Sequence, residues 1–296
     1  MRAPPRRGGG LISPLTPQQI ATLRQIDSPT VSNAIEAFGV RPRVEGFAGW
    51  DLRCAFPDLG SMVGYAVTCT ADTTTETRCH DRGLLRLWEA VAAAPKPAVI
   101  VIKDIGPQRS RSCHMGEVMA TTAKALGVIG CVSDGGLRDV TEVRALGGFH
   151  YFCPGFVVSH GNPFICDVNA PVVLEGLAVA PGDVLHGDVN GILVIPDSII
   201  DRVAVQAEAV RHAEREVLDF VRRPGLTLEK LREFQERFKH RRTRQVFAVL
   251  ARKPCPPRGA LCGVGGAERR PLDYQGASNS VAFSTAGSRH GSLERR

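Results

Sequence analysis

The apolar positions of this chain change period along its length, and the changes mark its elements. Residues 98–104, AVIVIKD, form a continuous β-branched run, the pattern of a strand buried on both faces. VIGCVSD at 128–134 repeats it, and FHYFC at 149–153 is a third strand. Between these runs the period lengthens to that of a helix. One helix spans about Glu117 to Leu126 and stops at Gly127; another spans about Val140 to Leu146 and stops at Gly147-Gly148. Strand, loop, helix, strand, turn, helix, strand is the order of α/β units.

The flanks carry weaker signals. Thr16-Pro17-Gln18-Gln19 opens a helix, with Thr16 as cap, Pro17 in the first turn and Gln19 completing a capping box. Ser28-Pro29 repeats that logic and predicts a helix from about Pro29 to Phe38, ended by a left-handed Gly39. Residues 60–70 read as a strand, and 81–93 place Leu84, Leu85, Leu87, Trp88, Val91 and Ala92 at helical spacing. Trp50 and Trp88 read as packing residues. Residues 171–195 form a short β module with two Gly-Asp turns, stopped by Pro196. Ile199, Val203, Val210, Val217 and Val221 mark a long amphipathic helix broken at Pro224-Gly225. Leu228, Leu231, Phe234 and Phe238 then line one face of a second helix. The chain thus divides into a disordered leader (1–14), one domain (15–222), a helical extension (223–251) and a disordered basic tail (252–296).

Composition narrows the function classes. A hydrophobic content of 43% suits a globular core. The net charge of +7 belongs to the ends: residues 1–14 carry +3 and 252–296 carry +5, leaving about −1 for the body. A folded basic surface for specific nucleic-acid binding is therefore not expected. No apolar run approaches the roughly 18 residues of a membrane span, and none follows the basic N-terminus as a secretory signal requires. The nine cysteines form no CxxC pair. Cys69, Cys131 and Cys153 sit in strand-like contexts and read as small buried hydrophobes. That usage points to a reducing, cytoplasmic setting rather than a disulfide framework or a zinc site.

Two predicted helix starts follow buried strands, where ligands bind in open α/β sheets. Gly116-Glu117-Val118-Met119 offers backbone N–H groups, a positive dipole end and a glycine permitting close approach, which together suit a carboxylate. The alternative is a plain Gly-Glu helix start. Asp134-Gly135-Gly136-Leu137-Arg138-Asp139 offers a tight turn, then an arginine and an acid side by side. An acid binds a hard cation through oxygen, and an adjacent arginine holds an oxyanion bridging to it. That pairing suits an enolate-forming reaction. The alternative is a local Asp cap beside a surface arginine. Ser159-His160-Gly161 reads as a hydrogen-bonded loop histidine, with a substrate or proton contact as the functional reading. His114 and His186 are weaker candidates, and Lys103-Asp104 reads as a solvated strand end.

The ordered pattern GE-x-MA-x-x-A-x-x-LG-x-x-G-x-VSDGG-x-RD resembles the 4-hydroxy-4-methyl-2-oxoglutarate aldolase and ribonuclease-regulator family, the RraA-like proteins. The likeness extends over roughly residues 16–222, including PGD…HGD-x-NG-x-x-x-IP at 181–196. It implies an α/β fold, a layered swivelling β/β/α domain with a C-terminal helical extension here, assembled as a homotrimer or homohexamer. It also implies a class II aldolase that cleaves a 4-hydroxy-2-oxo dicarboxylate to pyruvate and decarboxylates oxaloacetate. By the motif, Asp139 coordinates Mg2+ or Mn2+. Arg138 holds the 2-oxo group, the N–H groups of Gly116, Glu117, Val118 and Met119 cradle the carboxylate, and Glu117 supports metal-bound water. Some relatives borrow a C-terminal acid from a neighbouring subunit, and Glu208, Glu214 and Glu216 are open candidates. Ser112-Cys113-His114-Met115 departs from the Asn and aromatic residue common in family aldolases. Other members are non-catalytic regulators that bind and inhibit a ribonuclease.

Overall fold

A computed structural model of the 296-residue chain describes residues 14–76 and 82–238. Most of the expected leader, the basic tail and residues 239–251 of the expected helical extension lie outside them. The central sheet is built on β2 (Met62–Asp72), β3 (Ala98–Asp104), β4 (Val128–Ser133) and β5 (His150–Cys153), which pair in parallel in that order. β1 (Arg53–Cys54) closes the β5 edge antiparallel. On the other side β2 pairs antiparallel with β9 (Val184–Asp188), which pairs with β10 (Gly191–Ile195). The far end of β2 also pairs with β6 (Phe164–Val168), a strand the sequence pattern did not announce.

Alternation in the β-branched strands explains the layering. In β3, Ala98, Ile100 and Ile102 face one side, and Val99 and Val101 the other. The first side packs on α3 (Gly83–Ala93), α4 (Glu117–Ala125) and α5 (Val140–Ala145), through Leu87, Val91, Ala120, Ala123 and Val143. The second packs on a hairpin of β7 (Val172–Leu174) and β8 (Leu177–Val179). Hairpin, sheet and helices give the expected β/β/α order. Every β3 residue from Ala98 to Ile102 is fully buried, and each larger side chain there contributes about 1.5–3 kcal/mol. Truncating Ile100 to alanine would open a cavity between sheet and helices.

A third cluster joins α1 (Pro17–Arg24), α2 (Ser28–Glu36) and α6 (Val203–Val221) to β9 and β10. The Thr16–Gln19 capping box forms as expected. The second helix starts one residue earlier than expected, because Asp27, not Ser28, caps it by accepting the Thr30 N–H at 2.9 Å. Gly39 is left-handed, with φ of 60°. Residues 228–238 are helical, and Phe234 stacks on Phe220 of α6 at 4.1 Å between ring centroids. Trp88 packs on the core, but Trp50 is 86% exposed and is no packing residue. Among the described residues no helix is long and apolar enough to cross a membrane.

Candidate active site

Two loops at the carboxyl ends of β3 and β4 zip together and build the site. Cys113 bridges Gly136 in parallel, and Leu137 bridges Phe156. The His114 N–H donates to the Gly136 carbonyl at 2.9 Å, and the Arg138 N–H donates to the Met115 carbonyl at 3.0 Å. This ladder needs the glycines. A Cβ on Gly135 would stand 2.3 Å from Ser112 Oγ and 2.6 Å from His114 Cε1. The ladder carries Arg138 and Asp139 across to the first turn of α4.

Asp139 adopts the left-handed conformation, φ 55° and ψ 47°, which few residues other than Gly, Asn and Asp tolerate. It stands at the start of α5 but makes no side-chain cap there. Its carboxylate instead turns to the other helix, where Oδ2 accepts the Glu117 N–H at 2.8 Å. The reading of Asp139 as a local cap is thereby corrected. Arg138 Nε lies 3.4 Å from the same oxygen. Gly116 makes room for both: a Cβ there would meet Asp139 Oδ2 at 2.4 Å and Arg138 Nε at 2.9 Å.

This pair opens into a cavity of about 260 Å³. Gly116, Val118, Met119, Arg138 and Asp139 all line it. Glu117 lies at the same helix start with its side chain exposed. The cradle expected from four N–H groups is altered, since Asp139 takes that of Glu117. Those of Val118 and Met119 stay in the first turn, where a helix supplies no internal acceptor. His160, favoured from sequence as a mere loop residue, also lines the cavity. Its Nδ1 lies 2.7 Å from the Gly161 carbonyl oxygen. A carbonyl only accepts, so Nδ1 carries the proton and Nε2 of the neutral ring is the acceptor.

Beneath the loops lies a polar network that the sequence reading missed. His114 Nε2 donates to Asp104 Oδ2 at 2.9 Å, and Nδ1 is 2.8 Å from Ser133 Oγ, with both His114 and Asp104 side chains buried. Burial alone raises the Asp104 carboxyl, but hydrogen bonds from His114 and Ser112 and the His114 charge outweigh it and hold it below its ordinary value. Asp134 accepts the Asp104 N–H at 2.7 Å and pairs with Lys103. Lys103 and Asp104 are therefore not a solvated strand end. No signal in the chain marked this network, because it joins residues 10 to 31 positions apart.

Other candidates lie elsewhere. His186 is buried against Ser28 Oγ at 2.9 Å and the Leu23 carbonyl at 3.1 Å, a packing role between β9 and the first helices. Glu208 pairs with Arg211, and Glu214 accepts from Asn33 at 3.1 Å. Neither they nor Glu216 line this chain's cavity. Burial pushes the Cys69 and Cys153 thiols up to about 12 and the Cys131 thiol well above its usual range, as inert core thiols require. Cys166 is disulfide-bonded.

The residues that converge suit a hard, hydrated cation. Asp139 is a partly exposed carboxylate bonded to the backbone N–H of Glu117, whose own exposed carboxylate is not among the residues lining the cavity, and Mg2+ needs only one or two carboxylates while keeping its waters. Among the described residues no three His, Cys, Asp or Glu side chains converge as an all-protein metal cage.

Comparison with known proteins agrees with this architecture. Protein DlpA of Legionella pneumophila is 32% identical over 142 residues, covering 47% of this chain and 22% of that protein. A Halalkalibacterium halodurans protein provisionally named 4-hydroxy-4-methyl-2-oxoglutarate aldolase is 29% identical over 140 residues, covering 46% of this chain and 66% of that one. The match thus spans less than two thirds of either relative. A solved structure from Pseudomonas syringae pv. tomato superposes with a TM-score of 0.59 at 22% identity, covering 78% of this chain and 100% of that one. Streptomyces coelicolor RraAS2, described as an unusual member of the RNase ES inhibitor RraA family, gives 0.51 at 23% identity, with 70% and 98% covered. Both share the fold. The family profile described as RraA-like, Aldolase/RraA, matches residues 28–194, and with that extent of agreement the chain belongs to the RraA-like family.

Proposed function

We propose that the chain is a divalent-metal-dependent lyase that cleaves a 4-hydroxy-2-oxo acid to pyruvate through its enolate. The observation that carries this reading is Asp139 seated on the Glu117 N–H beside Arg138, over a glycine that leaves no space for a Cβ. A protein that only binds a partner has no need of that close approach. A bound Mg2+ or Mn2+, held by Asp139 with Glu117 supporting its waters, supplies Lewis acidity at the 2-oxo oxygen.

The remaining roles fall to the chain itself. The first-turn N–H groups of Val118 and Met119 hold the substrate carboxylate at the positive end of α4. The Arg138 guanidinium faces the 2-oxo oxygen and stabilises the charge that develops there. His160 Nε2 takes the proton of the C4 hydroxyl. As the C3–C4 bond breaks, its electron pair enters the C2–C3 bond of the enolate and C4 becomes a carbonyl. C3 then takes a proton from solvent, His160 releases the one it accepted to solvent, and pyruvate leaves. Oxaloacetate would lose CO2 through the same enolate.

Two assays on small oxo acids test the reading. With Mg2+ in D2O, the purified protein should exchange the methyl protons of pyruvate, followed by NMR, and should decarboxylate oxaloacetate. Absence of both, together with metal-independent capture of a ribonuclease, would establish the regulator function instead.

A further inference from the structure

We infer that the group carried on C4 of the substrate is apolar, an alkyl or aryl tail, rather than a second carboxylate. The inference rests on the pyruvate-enolate reading and specifies its substrate class. It departs from the dicarboxylate that the family resemblance implies.

The cavity lining is of two chemical kinds. Arg138, Asp139 and the start of α4 supply polar groups. An apolar wall is made by Ala71, Leu84, Met119, Pro163, Phe164 and Ile165, from β2, α3, α4 and the start of β6. Among the described residues lining the cavity, Arg138 carries the only permanent positive charge, and the 2-oxo acid head uses it. A second carboxylate directed at the apolar wall would lose its water without gaining a partner, a cost that hydrocarbon does not incur. His160 lines the same cavity, and a hydroxyl at C4 matches it. The volume of about 260 Å³ exceeds what a three-carbon oxo acid fills, so the wall has a tail to cover.

The test compares two substrates that share the reacting head. Pyruvate release with Mg2+ is measured from 4-hydroxy-2-oxohexanoate, whose tail is ethyl, and from 4-hydroxy-2-oxoglutarate, whose tail is carboxylate. The expected result is a kcat/KM at least roughly tenfold higher for the alkyl substrate, the scale of discrimination a hydrophobic pocket provides per methylene. Leu84 is 42% exposed at the cavity edge, so an arginine fits there without disturbing the core. Leu84→Arg should shift the ratio at least about tenfold toward the dicarboxylate. Equal or better cleavage of the dicarboxylate by the wild-type protein overturns the apolar tail while leaving the enolate reading intact. Loss of pyruvate proton exchange overturns the enolate reading, and the tail assignment falls with it.

Discussion

The carboxylate of Asp139 caps a helix that is not its own: Oδ2 accepts the Glu117 N–H at 2.8 Å across 22 residues of sequence. This one bond joins the two halves of the motif. It presents the acid and the start of α4 to a single cavity and sets Arg138 beside them. The left-handed backbone of Asp139 is what aims its side chain away from α5. Strain of that kind persists where surrounding contacts over-determine it, here the ladder between residues 112–116 and 136–138.

Asp139→Asn separates charge from structure. Asparagine tolerates the left-handed backbone and still offers an oxygen to the Glu117 N–H. The midpoint of thermal unfolding without metal should move by only a few degrees. The Mg2+-induced upward shift should vanish, and pyruvate release should fall roughly a hundredfold or more. A retained Mg2+ shift would remove Asp139 from the metal site.

Gly116→Ala tests the close approach. Gly116 has an extended backbone, φ −131° and ψ −167°, so alanine adds no backbone strain. Its Cβ must instead displace Asp139 Oδ2 or Arg138 Nε. Turnover should drop about a hundredfold, since misplacing reacting groups by about an ångström costs that much. Circular dichroism should show an intact fold.

His114→Leu breaks the buried pair with Asp104 and leaves a carboxylate in the interior without its main partner. The expected loss is about 3–5 kcal/mol in urea unfolding. A loss under about 1 kcal/mol would mean that Ser112 and the backbone suffice to hold Asp104.

His160→Gln should lower cleavage of 4-hydroxy-2-oxo acids by roughly 10²-fold through kcat. Pyruvate proton exchange, which does not involve the C4 hydroxyl, should fall far less. Equal losses in the two assays would place His160 in binding rather than in proton transfer.

Stability should depend on pH through His150. The ring is 1% exposed, and neither nitrogen has a hydrogen-bond partner among the described residues. Burial pushes its pKa down to about 4, from an ordinary value near 6.5. The unfolded chain therefore binds the proton first as pH falls. Stability is complete above about pH 6.5 and declines toward pH 4, by up to about 3 kcal/mol. His150→Leu should flatten that slope in unfolding curves taken at pH 7 and pH 4.5.

The local signals were legible in the chain because each depends on neighbours in sequence. Continuous apolar runs marked β3, β4 and β5, since a strand buried on both faces can carry no polar alternation. Thr16 with Gln19, and Gly39, announced a helix start and stop through bonds within a few residues. Arg138, Asp139 and Gly116 were visible as types suited to an oxyanion and a cation. Tertiary structure decided which groups those residues would meet. The two-residue β1, the antiparallel β6 and the His114–Asp104 pair depend on partners far along the chain, and no periodicity encodes them. The left-handed turn at Asp139 sent its carboxylate to α4 rather than α5. The packing of β6 against β2 and α3 set Phe164 and Ile165 in the lining of the same cavity as Arg138. Residue type thus marked groups suited to an oxyanion and a cation, and long-range packing decided which side chains share the cavity with them.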